Sequence, residues 1–465
     1  MLSSSIWNSR ITEEKVTKSE MYVGHLLGPV GVSLLTSVLN SYLNIYYTDV
    51  MDMSGRWGGL FLSLLPLITK IICVFTSLRM GMLVDSCVSP QGKARPWILF
   101  SAPFMIIGMI CLFVVPGSDP IMQTVWVFFF YFIYYAVGNT AYGTSHSLMV
   151  SLSTRDETER RNLSRMSNAF GMVSGSVLVM VFPIFLLPWM GADMKRWQTV
   201  IIIMTVICAP LMLLEFFFTK ERITDETGKG KNTLSFRESA LCCFKSKMWV
   251  QIVIYYVLFN LVNQLFSVGV PYYCNWVLGT YNDGKTQPMF YALGNFPYML
   301  GLFITEPLCR KFGRKRVIST GLIIGALGSL VSSIAPANMP VVLLGQLIKT
   351  LGMLPANFLT SVLISDALDD VERVNGIRCD GFSASVFSIS MTVIGGIALF
   401  AFNLGLSGLG YISPSAGAVS QPAAIRNFFI ACVCVMPAVG HFILGLLTSR
   451  MNMDNNTVTK TEKNR

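Results

Sequence analysis

The sequence predicts an all-α membrane protein of twelve spanning helices arranged as two six-helix bundles. Three observations carry that expectation. Hydrophobic residues make up 53% of the 465 positions and charged residues only 13%, and the mean hydropathy of +0.57 is too high for a water-soluble chain of this length. Apolar runs of about 20 residues, the length a helix needs to cross a bilayer, recur between short charged turns. The basic residues gather in alternate turns, as they do when one set of loops stays on the cytoplasmic side.

The first six runs cover 22–48, 58–84, 97–115, 121–150, 165–189 and 198–219, and the second six cover 248–278, 285–309, 317–336, 339–366, 381–408 and 425–447. Polar residues separate the sets from Lys220 to Lys247. The expected organisation is therefore a tail over 1–21, a bundle over 22–219, a linker over 220–247, a second bundle over 248–447 and a tail over 448–465. The first 20 residues are polar and the first apolar run is long enough to span, so no cleavable leader is expected.

Placing both termini in the cytoplasm puts most of the 35 basic residues on that side, in both tails, beside Asp85, at 155–165, in the linker, at 310–316 and at 373–378. Arg56, Lys195, Arg196, Lys285 and Arg426 fall outside, and Lys70, Arg79 and Lys349 lie within spans. The net charge of +10 then follows from topology and gives no reason to expect nucleic acid as a partner. A multi-pass protein of the cell membrane, acting as a monomer in the lipid bilayer, is expected. The 11 cysteines are scattered and lack metal or disulfide spacing. Phosphate-binding loops, zinc-protease motifs and nucleophile elbows are absent, so neither an enzyme nor a cofactor or metal is expected.

The turn after the second span reads Gly81-Met-Leu-Val-Asp85-Ser-Cys-Val-Ser-Pro-Gln-Gly92-Lys93-Ala-Arg95-Pro96-Trp97. Tyr46-Tyr-Thr-Asp49 ends the first span, Glu159-Arg160 lies in the fourth turn, and Gly376-Ile-Arg378-Cys precedes the eleventh span. Together these motifs resemble the glycoside-pentoside-hexuronide cation symporters (melibiose permease-like) of the major facilitator superfamily, over nearly the whole chain. The resemblance implies a major facilitator fold with a substrate held near the midplane between two parallel repeats. A weak internal repeat agrees with it, since a second charged turn, Glu306 to Arg316, follows the eighth span.

The resemblance also implies a cytoplasmic gate. Its candidates are Asp85, Gly92, Lys93, Arg95 and Arg160 in the first half, and Arg310, Arg314, Asp366, Asp369, Glu372 and Arg378 in the second. Asp366, Asp369 and Asp370 occupy about one helical turn and would repel one another without basic partners, which 310–316 can supply. The alternative is a solvated juxtamembrane loop.

In the family, sodium is held by two carboxylates a turn apart on the second helix, and sugar by carboxylates on the first and fourth helices with a tryptophan, an arginine and a lysine. The matching positions here are Cys73 and Ser77 for sodium, and Ser33, Gly143, Ser147, Asn168 and Ile394 for the rest. None is charged or aromatic. Sodium is a hard cation that needs oxygen ligands, so coupling to sodium is not expected.

Lys70, Cys73 and Ser77 share one helical face. A buried ammonium without an acid either loses its proton or takes an anion. Lys70 is thus a candidate anchor for an acidic substrate or a coupling group for protons, with a water-solvated lysine as the alternative. Lys349 is expected to snorkel. His146 is a second coupling candidate because imidazole titrates near neutral pH, whereas His25 reads as structural. Ser33, Ser37, Asn40 and Asn44 make a polar stripe on the first span. Asn139, Thr140, Asn168, Asn260, Asn263, Gln264, Ser267, Asn357 and Thr360 add groups that can donate to and accept from hydroxyls. Their alternative role is to join helices. Tyr42, Tyr142 and Trp276 are candidate stacking platforms.

The functional expectation is a secondary or facilitative carrier of a small organic solute, a glycoside or hexuronide, working by alternating access. Its rivals are a carrier of an amphipathic non-sugar solute such as a steroid, drug or lysolipid, and a membrane sensor that does not transport.

Overall fold

A computed structural model describes residues 15–222 and 236–451, apart from 88, 118, 155, 157–158, 160–161, 164–176, 179 and 377–378. The described residues form helices and turns with no strand. Among the described residues, ten helices are long and apolar enough to cross a membrane. They are α1 (Glu20–Val50), α2 (Leu60–Ser86), α3 (Arg95–Phe113), α4 (Pro120–Ser153), α5 (Met194–Phe218), α7 (Lys247–Leu278), α9 (Arg314–Ile334), α10 (Met339–Asn375), α11 (Asp380–Gly408) and α12 (Ala423–Arg450). Between them lie the short α6 (Phe236–Lys245) and the 27-residue α8 (Thr286–Phe312). Most of the expected fifth span, 165–189, lies outside the described residues.

Helix starts follow local chemistry. Asp119 accepts from the amides of Ile121 and Met122 with Pro120 opening α4, Asp193 caps α5, and Ser246 accepts from Trp249 N at the start of α7. These side chains satisfy amides that have no partner inside the helix. At α8, Asp283 accepts from the amides of Lys285 and Thr286, both at 2.9 Å, and from the Thr286 hydroxyl. Burial alone would raise the Asp283 carboxyl, but these hydrogen bonds hold it below its ordinary value.

The chain divides into two compact units, Met1–Lys231 with Asn403–Val419, and Asn232–Phe402 with Ser420–Arg465. In the first, α1 packs along α5 so closely that a Cβ at Gly28 would lie 2.6 Å from Glu215 Cβ and 2.8 Å from its backbone. Small residues let membrane helices approach in this way. Tyr46 and Tyr47 donate to the carbonyls of Phe113 and Leu112 at 2.7 and 3.0 Å, joining α1 to α3. Tyr411 donates to Asp49 Oδ1 at 2.7 Å and Ser413 to the Asp49 carbonyl at 2.9 Å, so the 403–419 segment docks on the end of α1.

In the second unit, α9 and α10 are the tightest pair, and a Cβ at Gly328 would meet Lys349 N at 2.3 Å. Trp249, Tyr255, Phe259, Met353 and Phe387 form part of its core. The Trp249 indole donates to Ser383 Oγ at 2.8 Å, which removes the cost of burying an unpaired polar group.

Candidate substrate and coupling sites

The charged turn between α2 and α3 is folded around a carboxylate from its own unit. The amides of Lys93, Ala94 and Arg95 donate to Glu221 at 2.7, 2.9 and 2.8 Å, so one fully buried side chain caps the start of α3. Gly92 has φ +107°, and a Cβ there would lie 2.3 Å from the Glu221 carboxyl carbon. Glycine is therefore required both by backbone conformation and by space. Arg95 is also fully buried, donates to the Phe216 carbonyl at 3.1 and 2.7 Å, and lies over the Phe216 ring. Arg222 completes this strap with a 2.9 Å ion pair to Glu20 and hydrogen bonds to the carbonyls of Leu152 and Ser153. Arg95 thus holds α3 to α5 within its own unit. The side chain of Asp85 and all of Arg160 lie outside what the structure describes.

Four of the expected residues, Lys70, Asn40, Cys73 and Thr140, come together around Tyr135. The Lys70 ammonium sits over the Tyr135 ring, 4.2 Å from its centroid, and Tyr135 donates to Asn40 Oδ1 at 3.1 Å. Lys70 has no carboxylate partner among the described residues. Cys73 is buried one turn along α2 and interacts with Thr140, which itself donates to the Tyr135 carbonyl at 2.9 Å. Tyr135 and Asn139 belong to a π-helical stretch of α4, Ile133–Asn139. Such widened turns recur at functional sites because they re-aim side chains. Sequence reading missed Tyr135. Asn44 is half-buried, Ser77 is exposed and bonded to the Cys73 carbonyl, and Asn168 lies outside the described residues.

His146 has a partner that sequence reading also missed. Its Nδ1 lies 2.6 Å from Glu215 Oε1, and Tyr142 donates to Glu215 Oε2 at 2.6 Å. Glu215 is completely buried, while the His146 side chain is 23% exposed. His25 is buried on α1 within electrostatic reach of both groups, with its Nε2 3.3 Å from Ser153 Oγ and its Nδ1 without a partner among the described residues. Tyr142 is therefore a carboxylate ligand, and Tyr42 is a core residue stacked on Phe182. Glu215 was detectable as the single carboxylate in an otherwise apolar run, three residues before the end of α5.

In the second unit the α7 amides bond backward along their own helix, Asn260 to the Tyr256 carbonyl at 2.8 Å and Asn263 to that of Phe259 at 2.9 Å. Gln264 is half-buried. Asn357 donates to Tyr298 Oη and to the Met353 carbonyl, both at 3.0 Å. Lys349 does not snorkel. It is 7% exposed, with its ammonium 3.0 Å from the centroid of the Phe266 ring. Among the gate candidates, Arg314 pairs with Asp366 at 2.9 Å and Arg310 makes an exposed pair with Glu306. Asp370 accepts from Ser246 at 2.6 Å. Asp369 and Glu372 lie on the same stretch of α10, and Arg378 is outside the described residues.

Residues 24–455 match the family described as MFS/sugar transport protein. The chain belongs to that family. Among curated relatives of this family carrier, the isoprimeverose transporter of Lactiplantibacillus pentosus is 25% identical, over 91% of this chain and 87% of its own. A putative sulfoquinovose importer of Escherichia coli K12 is 22% identical, over 91% and 89%. In solved structures, a bacterial homolog of the human lysosomal transporter Spinster aligns at TM-score 0.66 and 14% identity, covering 93% of this chain and 98% of its own. The nucleoside transporter NupG aligns at 0.60 and 12%, covering 95% and 100%. These structural likenesses establish the all-α fold, and the family match with its named relatives makes the chain a membrane transporter of a small organic solute rather than an enzyme.

Proposed function

We propose that this carrier moves a glycoside or hexuronide by alternating access of its two bundles, 22–219 and 248–447, without sodium. The observation that carries the reading is the Lys70, Tyr135 and Asn40 chain, where a cation with no acid partner sits beside an aromatic ring and an amide. Lys70 would anchor an anionic group, and Asn40, Asn44, Asn139, Thr140, Asn168, Asn260, Asn263, Gln264 and Asn357 would bond hydroxyls. Two relatives are named for sugars, isoprimeverose and sulfoquinovose. Cys73 and Ser77 replace the expected sodium ligands, so protons acting through Lys70 or His146 are the proposed coupling ion. The cytoplasmic gate consists of the Gly92 turn with Asp85, Lys93, Arg95 and Arg160, and the charged set from Arg310 to Arg378. The protein works as a monomer in the cell membrane with both termini cytoplasmic.

A thermal-shift screen of sugars, uronides and amphiphiles, followed by uptake into proteoliposomes, tests this. Saturable uptake of methyl β-D-glucuronide, lost in Lys70→Ala, is the expected result. Stabilisation and uptake of an amphiphile with no competition from any sugar would sink it, and so would steep stimulation by sodium at constant pH.

A further inference from the structure

Beyond substrate, we infer that Glu215 is the proton-holding residue of this carrier, with His146 as its path to water and Tyr142 as its orienting donor. This deepens the proton-coupled reading and rests on the carrier assignment. The geometry that points there is a gradient of exposure across one short contact: Glu215 is completely buried, and the ring 2.6 Å away is 23% exposed. A carboxylate in a bilayer span is costly unless paired, so carboxylates there are kept where their chemistry is used. Here the pairing is two-sided, with Tyr142 on Oε2 and His146 on Oε1.

The step balances for one proton. A hydronium ion on the exposed side gives its proton to His146 Nε2, leaving water, while the Nδ1 proton passes to Glu215 Oε1. The loaded pair is then a neutral imidazole and a neutral carboxyl, and release reverses both transfers. Unloading leaves one negative charge in a low-dielectric site, where it has the Tyr142 hydroxyl and the Nδ1 proton as donors. His25 and Glu20 from α1, Arg95 from α3, Tyr142 and His146 from α4, and Lys220, Glu221 and Arg222 after α5 are among the described ionisable groups around this end of α5. His25 lies within electrostatic reach of the pair, and its Nδ1 has no partner among the described residues.

The site also sits where three helices meet, α1, α4 and α5. Gly28 of α1 lies directly against the Glu215 backbone, and His146 reaches it from α4. Any movement of α1 or α4 relative to α5 would alter the donors of the carboxyl, which couples its proton affinity to helix position without a metal or a second carboxylate.

Infrared difference spectroscopy of the full chain in phosphatidylcholine vesicles, titrated between about pH 5 and pH 8 without any substrate, reads the proton on the carboxyl directly. The wild type should gain a protonated-carboxyl stretch on acidification that is lost in Glu215→Gln. In Tyr142→Phe, which removes one hydrogen bond, the same stretch should move to higher frequency, and this variant keeps the test decisive if Glu215→Gln does not fold. Identical spectra for the wild type and Glu215→Gln, or a band unmoved in Tyr142→Phe, would overturn the assignment. Because no substrate is present, a failure of glucuronide uptake would count against the carrier reading and leave this result standing.

Discussion

At the scale of single residues, the chain keeps its costly groups in two different environments. Lys70 rests on an aromatic face with no acid partner among the described residues, and its proposed role as an anion anchor rests on that environment. Glu215 has its oxygens occupied by Tyr142 and His146. Truncating Lys70 to Ala should therefore lower kcat/KM for a glucuronide about tenfold or more, equivalent to about 1.4 kcal/mol, and leave an uncharged glucoside nearly unaffected. Paired uptake kinetics with the two methyl glycosides check this. Lys70 was legible because charge inside an apolar run stands out. Glu215 left a weaker signal, a lone carboxylate close to the end of such a run, where an acid ordinarily belongs to the membrane surface. Tyr135 carries no charge and gave no signal among 16 tyrosines.

Elements are joined by buried backbone contacts that a motif only hints at. Glu221 caps three amides at the start of α3, and its removal strands them in a buried turn. Glu221→Ala should destabilise the protein by about 3 kcal/mol or more, since hydrogen bonds to charged groups contribute about 1.5–3 kcal/mol each. Chemical denaturation of the purified protein in detergent reads that loss. Gly28→Leu should separate α1 from α5, because even its Cβ has no room against Glu215. We expect lower thermal stability together with weaker proton-dependent uptake, whereas a variant that merely lost stability would keep its pH profile.

The α8 cap gives a pH prediction with a definite sign. The folded Asp283 carboxyl lies below its ordinary value of about 3.9. Its contribution to stability is therefore present above that pH and declines as the pH falls through the folded value. Asp283→Asn should flatten this acid limb in denaturation midpoints measured against pH. The Gly92 turn shows why element function was only partly readable: its spacing identified the family, but Glu221 lies 129 positions further on and is brought there by α5 and the strap that follows it.

For the whole molecule, apolar length and charge placement were enough to indicate the helices, because crossing a bilayer leaves few other solutions. Ends moved where local chemistry overrode composition. The tenth helix runs to Asn375, nine residues beyond the expected end at 366, since its polar continuation still forms helix and stops at Gly376 with φ +71°. The site was less legible, because Lys70, Tyr135 and Asn40 lie on three helices and only the fold brings them together. The central claim is that this fold carries an anionic sugar past Lys70. Uptake of radiolabelled methyl β-D-glucuronide into proteoliposomes, compared between wild type and Lys70→Ala, tests it most directly. The account predicts saturable uptake by the wild type that falls at least tenfold in the variant; equal uptake by the two proteins, or none by the wild type while an amphiphile is carried, would contradict it.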